Sequence, residues 1–366
     1  MIYFFLAIGC FIYAVAIYYL IVELLHIYHF RFQKLFTWFS IIIFCIPIFC
    51  IIDYMHRGNP IFTFLATIGY VLAGFIIYFI ITISLLFVFK WIVQKILKKK
   101  SVLYDSKMLL LSIISSVIIC ITGIICAIFP KATQLTFDLK LENDLKIVAL
   151  SDIHYGSTGS ILSLERMIQT INQQHPDLVF LVGDVFDNKV SKLDHKEFSE
   201  YMNRIEARYG VYAVTGNHEF ISNSLEEIIR FYEGTKVKLL LDEEVTILNE
   251  IRIAGRIDYR IPNRKRLESI TSDSELPLIV LDHQPQSYRD SYNQNAFLQL
   301  SGHTHNGQIF PGNIFLHFYN LIEYASPSNG EHTYNDFTLG ITRGFGTWGF
   351  PYRLTGSSHY YIINLT

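Results

Sequence analysis

Residues 145–154 read LKIVALSDIH, a short apolar run that ends abruptly in polar residues. The same pattern recurs at residues 178–184 (LVFLVGD) and 211–218 (VYAVTGNH), and again at residues 278–283 (LIVLDH) and 297–305 (FLQLSGHTH). Short apolar runs bounded by glycine and polar residues are typical of buried strands. We therefore predict five buried strands, each with polar side chains at its carboxyl end.

Helical patterns fill the intervals between these strands, at about residues 161–174, 191–208 and 224–233. Alternation of strands and helices predicts an α/β layered domain over residues 145–366. Open α/β sheets build their sites beyond the carboxyl ends of the strands. The polar residues after the strands are therefore the candidate site.

The first 130 residues have a different composition. Four stretches there contain no Asp, Glu, Lys or Arg, namely Met1–Val22, Leu35–Ile52, Gly58–Phe89 and Met108–Pro130. A helix needs about 20 apolar residues to cross the hydrocarbon core. We predict four transmembrane helices in residues 1–130 and a linker over residues 131–144, which makes the chain an integral protein of the cell or inner membrane.

Charge distribution predicts the orientation of the chain. Residues 1–130 carry 9 Lys/Arg and 3 Asp/Glu, whereas the other 236 residues carry 21 and 29. Six lysines lie between Lys90 and Lys107, in the loop after the third apolar stretch, and lysine-rich loops stay in the cytoplasm. The domain after Lys131 is then extracytoplasmic. Its acidic balance argues against a nucleic-acid partner, and the uncharged spans argue against a channel or transporter.

The polar residues after the strands comprise two carboxylates, one amide and four imidazoles. They are Asp152, His154, Asp184, Asn217, His283, His303 and His305. Oxygen and nitrogen donors without thiolate suit divalent ions such as Mn, Fe, Zn or Ni. All five cysteines lie before residue 131, so a thiolate site in the domain is excluded. In extended chain, residues two apart point the same way, so Asp152 and His154 can serve one centre.

These residues carry a resemblance to the calcineurin-like metallophosphoesterase family. Its blocks D-x-H, G-D-x-x-D, G-N-H-[DE], a single His and G-H-x-H occur here in the same order, at Asp152–His154, Gly183–Asp187, Gly216–Glu219, His283 and Gly302–His305. The chain is most similar to a membrane-associated branch, in which the last block continues to G-G-Q and a glycine-rich segment with Pro and Arg follows. Asn306 replaces one of those glycines, and Gly344–Arg353 is the later segment.

The resemblance implies a β-sandwich flanked by helices and a metal-dependent phosphoric ester hydrolase with a binuclear centre. The first metal would take Asp152, His154, Asp184 and His305, and the second would take Asp184, Asn217, His283 and His303. Asp184 would bridge the two metals, and a bridging hydroxide would attack phosphorus. His218 would stabilise developing charge or protonate the leaving oxygen, and Asp187 would orient His218 or cap a helix.

Other groups remain open at this stage. A basic cluster spans Arg256–Arg266 and could bind a second phosphate or lie as a solvated loop. Trp348, Phe345 and Phe350 belong either to the core or to an apolar rim facing the bilayer. His359 stands where relatives often have an acidic residue, and we do not assign it a metal.

The function expected is that of a membrane-anchored dimetal phosphoesterase acting on phosphodiester or pyrophosphate bonds of lipid or envelope-associated substrates, with a lipid headgroup as one candidate. An alternative is a cytoplasm-facing pyrophosphatase of lipid-linked nucleotide sugars, as in lipid A synthesis. A remote alternative from another class is a catalytically silent membrane receptor.

The two enzyme hypotheses differ in the side of the membrane on which the domain after Lys131 lies. A periplasmic or surface reporter fused after Thr366 should be active, and a cysteine placed near Lys98 should resist impermeant thiol reagents, because lysine resists translocation. A reporter active only in the cytoplasm would contradict the predicted orientation and favour the nucleotide-sugar pyrophosphatase.

Overall fold

The computed structural model describes residues 60–96, 98, 105–157 and 164–366. These residues divide into two compact units that meet between Gly123 and Ile124.

Two long apolar helices dominate the first unit. Helix α1 spans Pro60–Lys95 and helix α2 spans Asp105–Ile128, and each is long and apolar enough to cross a membrane. The hydroxyls of Thr82 and Ser116 lie 3.4 Å apart, so small polar residues line the contact between the two helices. α1 is continuous, so the third apolar stretch forms one helix.

The structure thus describes two long apolar helices, not the four predicted. The first two predicted spans, Met1–Val22 and Leu35–Ile52, lie outside the described residues. The four-helix bundle therefore stays a prediction.

The second unit contains two six-stranded sheets. The first has the order β1-β12-β2-β3-β4-β5, with β1 Lys131–Phe137, β2 Leu145–Leu150, β3 Leu178–Val182, β4 Val211–Val214, β5 Val237–Leu239 and β12 His359–Leu365. β2, β3, β4 and β5 run parallel, in a register that pairs Ile147 with Leu178. β12 lies antiparallel to β2 and parallel to β1.

The second sheet has the order β10-β11-β9-β8-β7-β6. Its strands are β6 Glu243–Ile247, β7 Ile251–Gly255, β8 Leu278–Leu281, β9 Leu298–Ser301, β10 Gly330–Tyr334 and β11 Phe337–Ile341. β7, β8, β9 and β11 are parallel, and the outer strands β6 and β10 are antiparallel to their neighbours.

One core lies between the two sheets, where side chains such as Phe180 and Ile363 of the first sheet meet Ile279 and Leu300 of the second. The other face of the first sheet packs on helices α3 Leu164–Asn172, α4 His195–Asn203 and α5 Leu225–Tyr232. The short helix α6, Tyr288–Asn293, contributes Tyr288 to a third core on the second sheet. This layered α/β arrangement confirms the fold class predicted for the domain.

The predicted strand bounds at β2, β3 and β8 agree with the structure, because each is a run of mainly apolar residues between polar ones, with Lys146 the exception in β2. One expectation was wrong in part. Residues 131–137, placed in a linker, form strand β1, because their backbone pairs with β12 from the far end of the chain.

Candidate metal centre

The two sheets bring the predicted polar residues together at one edge. Parallel strands β2, β3 and β4 end there in the first sheet, as do β8 and β9 in the second. Three groups of possible metal ligands lie there among the described residues, each with donor atoms within 4.8 Å of one another. Two consist of predicted ligands: Asp152, His154 and His305, and Asp184, His283 and His303. The third combines the predicted ligand His154 with Asp187 and His218.

The first group joins the two sheets. Nε2 of His305 lies 2.9 Å from Nε2 of His154 and 3.2 Å from Oδ1 of Asp152. Protein ligands bind zinc-like ions at about 2.0–2.2 Å, so donors of one ion lie about 3 Å apart. The observed spacing matches that expectation.

The second group is centred on Asp184. Its Oδ2 lies 3.1 Å from Nε2 of His283 and 4.0 Å from Nε2 of His154 in the first group. One carboxylate therefore stands between both groups, as a bridging ligand requires. Nδ1 of His283 lies 2.8 Å from the carbonyl oxygen of Val182, so Nε2 faces the site.

Asn217 lies next to this carboxylate. The backbone N–H of the following residue, His218, donates to Oδ1 of Asp184 at 2.8 Å, and a Cβ on the preceding Gly216 would overlap the same carboxylate. Within the described chain, the buried Oδ1 of Asn217 accepts no hydrogen bond. A buried amide oxygen that accepts no hydrogen bond is suited to bind a metal ion.

His218 and Asp187 form a pair beside the two groups. Nδ1 of His218 lies 2.7 Å from Oδ1 of Asp187, and the His218 and His154 rings meet edge to face at 4.7 Å. The helix that follows, α4, is capped by Asp194, which accepts from the N–H of Glu197. Asp187 is therefore not the N-cap of α4.

Asp152 and His154 lie in one ligand group, as predicted, but not for the predicted reason. His303 and His305, which are also two residues apart and for which the same was expected, lie in different groups. Five of the candidate ligands have left-handed backbone: Asp152, His154, Asp184, His303 and His305, with φ between 50° and 69°. Such angles are uncommon outside glycine and mark strained, functional loops. The chain turns sharply at these residues instead of staying extended. Asn306, in place of a family glycine, also has φ 50°.

The buried carboxylates remain ionised because imidazoles face them. Burial alone would raise the pKa of Asp152, but His305, His283 and His154 hold it well below its ordinary value. Burial is likewise overcome at Asp184 by His283 and His218, so the pKa of Asp184 is lowered. At Asp187 burial is overcome by the nearby ring of His154 (3.6 Å from Nδ1 to Oδ2) and the hydrogen bond with His218, so the pKa of Asp187 is also lowered. Ionised carboxylates are the form that binds cations.

The imidazoles differ in charge. Burial and the charge of His283 lower the pKa of His303 to about 3, and burial lowers the pKa of His305 to about 4. Both rings are neutral at pH 7, the form that ligates metals. Burial opposes protonation of His218, but Asp184 and Asp187 raise its pKa to about 9. His218 is therefore a cationic proton donor beside the neutral rings of His303 and His305. At His283, by contrast, Asp184 overcomes the effect of burial and raises the pKa well above its ordinary value.

Glu219 is a structural part of the site to which sequence analysis assigned no role. Its buried carboxylate accepts four backbone N–H groups, from Asp184 (3.1 Å), Val185 (2.6 Å), Phe186 (3.2 Å) and Gly216 (2.7 Å). Burial and the charge of Asp184 raise its pKa to about 7. The acidic residue of the G-N-H-[DE] block was the available signal, and its role is to join the loops after β3 and β4.

Arginines contact either a candidate ligand or the residue next to one. The buried guanidinium of Arg353 lies 3.1 Å from Nδ1 of His305 and donates to the carbonyl oxygens of His305 and Gly346. In the predicted basic cluster, Arg264 and Arg256 pair with Asp282, the residue before His283. That pairing contradicts a simple solvated loop at these two arginines.

The aromatic residues divide between core and rim. Phe345 is buried in the core, whereas Trp348 is 50% exposed and its ring lies 5.5 Å from that of His218. His359 lies outside both ligand groups, and its Nε2 is 2.8 Å from the hydroxyl of Thr133.

Comparison with known proteins agrees with this geometry. Residues 145–307 match the family model of the calcineurin-like phosphoesterases. The domain belongs to that family of metal-dependent phosphoric ester hydrolases.

Relatives come from bacteria and animals. An uncharacterized metallophosphoesterase of Helicobacter pylori is 31% identical over 244 residues, covering 64% of this chain and 63% of the relative. One from Campylobacter jejuni is 33% identical, covering 62% and 60%. A "transmembrane protein with metallophosphoesterase domain" of Danio rerio is 31% identical, covering 59% and 52%. The chain thus spans less than two thirds of these relatives.

Removal of the Glu219 carboxylate should weaken metal binding. Glu219→Ala leaves four buried N–H groups without their acceptor, at about 1–3 kcal/mol each, and releases the loops that carry Asp184 and Asn217. We expect lower bound Mn in equilibrium dialysis and a lower unfolding temperature. The exposed Glu243→Ala is the control, and equal Mn binding by both variants would contradict this role.

Proposed function

We propose that this chain is a membrane-anchored phosphoesterase that uses two divalent cations to hydrolyse phosphodiester or pyrophosphate bonds. The observation that carries the proposal is the position of Asp184 between two His/Asp groups, with the His218–Asp187 pair beside them. The donor set, its spacing and the buried Asn217 oxygen all fit two cations that share one carboxylate.

In this proposal the two cations have separate ligands apart from the shared one. Asp152, His154 and His305 would hold the first cation, and Asn217, His283 and His303 would hold the second. Asp184 would be available to both. Cations bound in this way supply Lewis acidity and lower the pKa of a bound water to near neutrality.

The protein's own residues then position and protonate the substrate. The hydrogen bond through Nδ1 to Asp187 leaves Nε2 of His218 for the substrate, and the ring borders the exposed Trp348. His218 would donate a proton to the leaving oxygen, while Asp187 keeps the imidazole oriented and charged. Manganese, iron, zinc and nickel are all compatible with this mixture of oxygen and nitrogen donors.

Membrane anchoring follows from the two long apolar helices and is supported by the name of the Danio rerio relative. The lysine-rich loop between α1 and α2 supports an extracytoplasmic domain. A membrane-anchored, extracytoplasmic domain is close to molecules of the lipid surface and the envelope. Lipid or envelope-associated phosphate esters are therefore the proposed substrates.

Asp184→Asn should abolish hydrolysis of bis-p-nitrophenyl phosphate at saturating Mn, because an amide cannot bridge two cations as a carboxylate does. The control is Asp242→Asn, which changes a buried carboxylate outside the ligand groups. Retention of more than about a tenth of the wild-type rate by Asp184→Asn would contradict the shared-carboxylate centre.

His218→Ala should differ in kind. We expect unchanged metal content, measured by elemental analysis, and turnover slower by about 10²- to 10⁴-fold, as is typical of losing a general acid. A parallel fall in metal content would show that His218 is a ligand and that its proposed role is wrong.

A further inference from the structure

Helix α7, Gly312–Glu323, has its apolar residues on the outside. Its buried residue is Asn320, whereas Phe315 is 72% exposed and Ile322 is 81% exposed. Further exposed apolar or aromatic residues of the helix are Ile314, Phe318, Tyr319 and Leu321. Surface helices of soluble domains turn their apolar side inward. An inverted helix whose one Asp, Glu, Lys or Arg is Glu323, at its last position, fits an apolar medium outside the domain.

α7 begins beside the candidate metal centre. A Cβ on Gly307, two residues after His305, would come within 2.5 Å of the backbone N of Asn313. Between them, Gln308 donates to the carbonyl oxygen of Trp348 at 3.0 Å and accepts from its N–H. Trp348 in turn borders His218. The start of α7 and the half-exposed Trp348 therefore both lie next to the site.

The end of α2 lies at the same edge. Its last turn belongs to the second unit, where the N–H and hydroxyl of Ser358 donate to the carbonyl oxygens of Cys126 and Ala127 at 3.0 and 2.9 Å. The next residue, His359, donates to the carbonyl oxygen of Gly344 at 2.9 Å. A Cβ on Gly344 would contact both Asp152 and His305.

We propose that α7, together with Trp348, docks on the lipid bilayer at the mouth of the site. A membrane-length helix ends at this edge, so the medium opposite α7 is a lipid surface. A substrate with acyl chains can then keep them in lipid while its phosphate reaches the cations. The inference about acyl chains rests on the proposed phosphoesterase function, whereas the docking of α7 on the bilayer does not.

Fluorescence quenching tests the docking. Full-length, cysteine-free protein in nanodiscs of phosphatidylcholine and phosphatidylglycerol carries an NBD label on Ile322→Cys, or on Ile229→Cys of α5 as control. Ile229 is 40% exposed and lies away from the site. We expect doxyl-labelled lipid to quench the label at position 322 and aqueous iodide to quench the label at position 229.

Three results would overturn the docking. Quenching at position 322 by iodide alone would place α7 in water. Protection from both quenchers would mean that protein covers it, either the chain's own membrane helices or a second copy. Equal quenching by lipid at both positions would show no preference for α7.

Two substrates with the same leaving group test the acyl-chain part. Against hexadecyl p-nitrophenyl phosphate in vesicles, the Phe315→Asp/Ile322→Asp variant should lose about 10-fold or more in kcat/KM, because charge weakens interfacial binding. Against water-soluble methyl p-nitrophenyl phosphate it should match wild type, and Ile229→Asp should match wild type on both. Equal loss on both substrates, or no loss on either, would overturn the proposal. If wild type hydrolysed neither of the two substrates, the result would instead contradict the proposed phosphoesterase function.

Discussion

The ionised carboxylate of Asp184 is the group on which the site depends. A buried carboxylate without partners would take up a proton, because desolvation penalises charge far more than burial of the neutral acid does. Here His283 at 3.1 Å and the backbone N–H of His218 at 2.8 Å keep it charged. Two cations would take over that stabilisation, so the protein without metal already has the charge pattern of the loaded site.

Such a site needs a rigid frame, because several of its loops hold strained backbone. Strained φ angles persist only where the surroundings over-determine them. One buried acidic residue and one buried basic residue hold these loops in place. Glu219 ties together the loops after β3 and β4, and Arg353 ties His305 to the glycine-rich segment. Neither is a candidate ligand, yet each determines where ligands stand.

The same edge of the domain carries the metal centre, the last turn of α2 and the inverted helix α7. Tethering raises the effective concentration of an enzyme toward molecules in the same membrane. In the proposed arrangement, a site at this edge would also face the lipid surface over a short distance. Trp348 lies between the two features, since it is half exposed and its ring meets that of His218. Under that proposal, anchoring would place the site next to its substrates.

The sequence by itself determined the buried strands and the donor set, because fully apolar runs such as β3 have one stable environment and polar residues at their ends must share one edge. It also predicted the two long helices that the structure describes. Tertiary structure decided the rest. Strand β12 lies between β1 and β2, which no local pattern encodes, because strand pairing acts between residues far apart in sequence. The role of Glu219 depends on four N–H groups from two loops. The outward face of α7 was likewise undetermined, since helical periodicity shows that apolar residues share a face but not what that face meets.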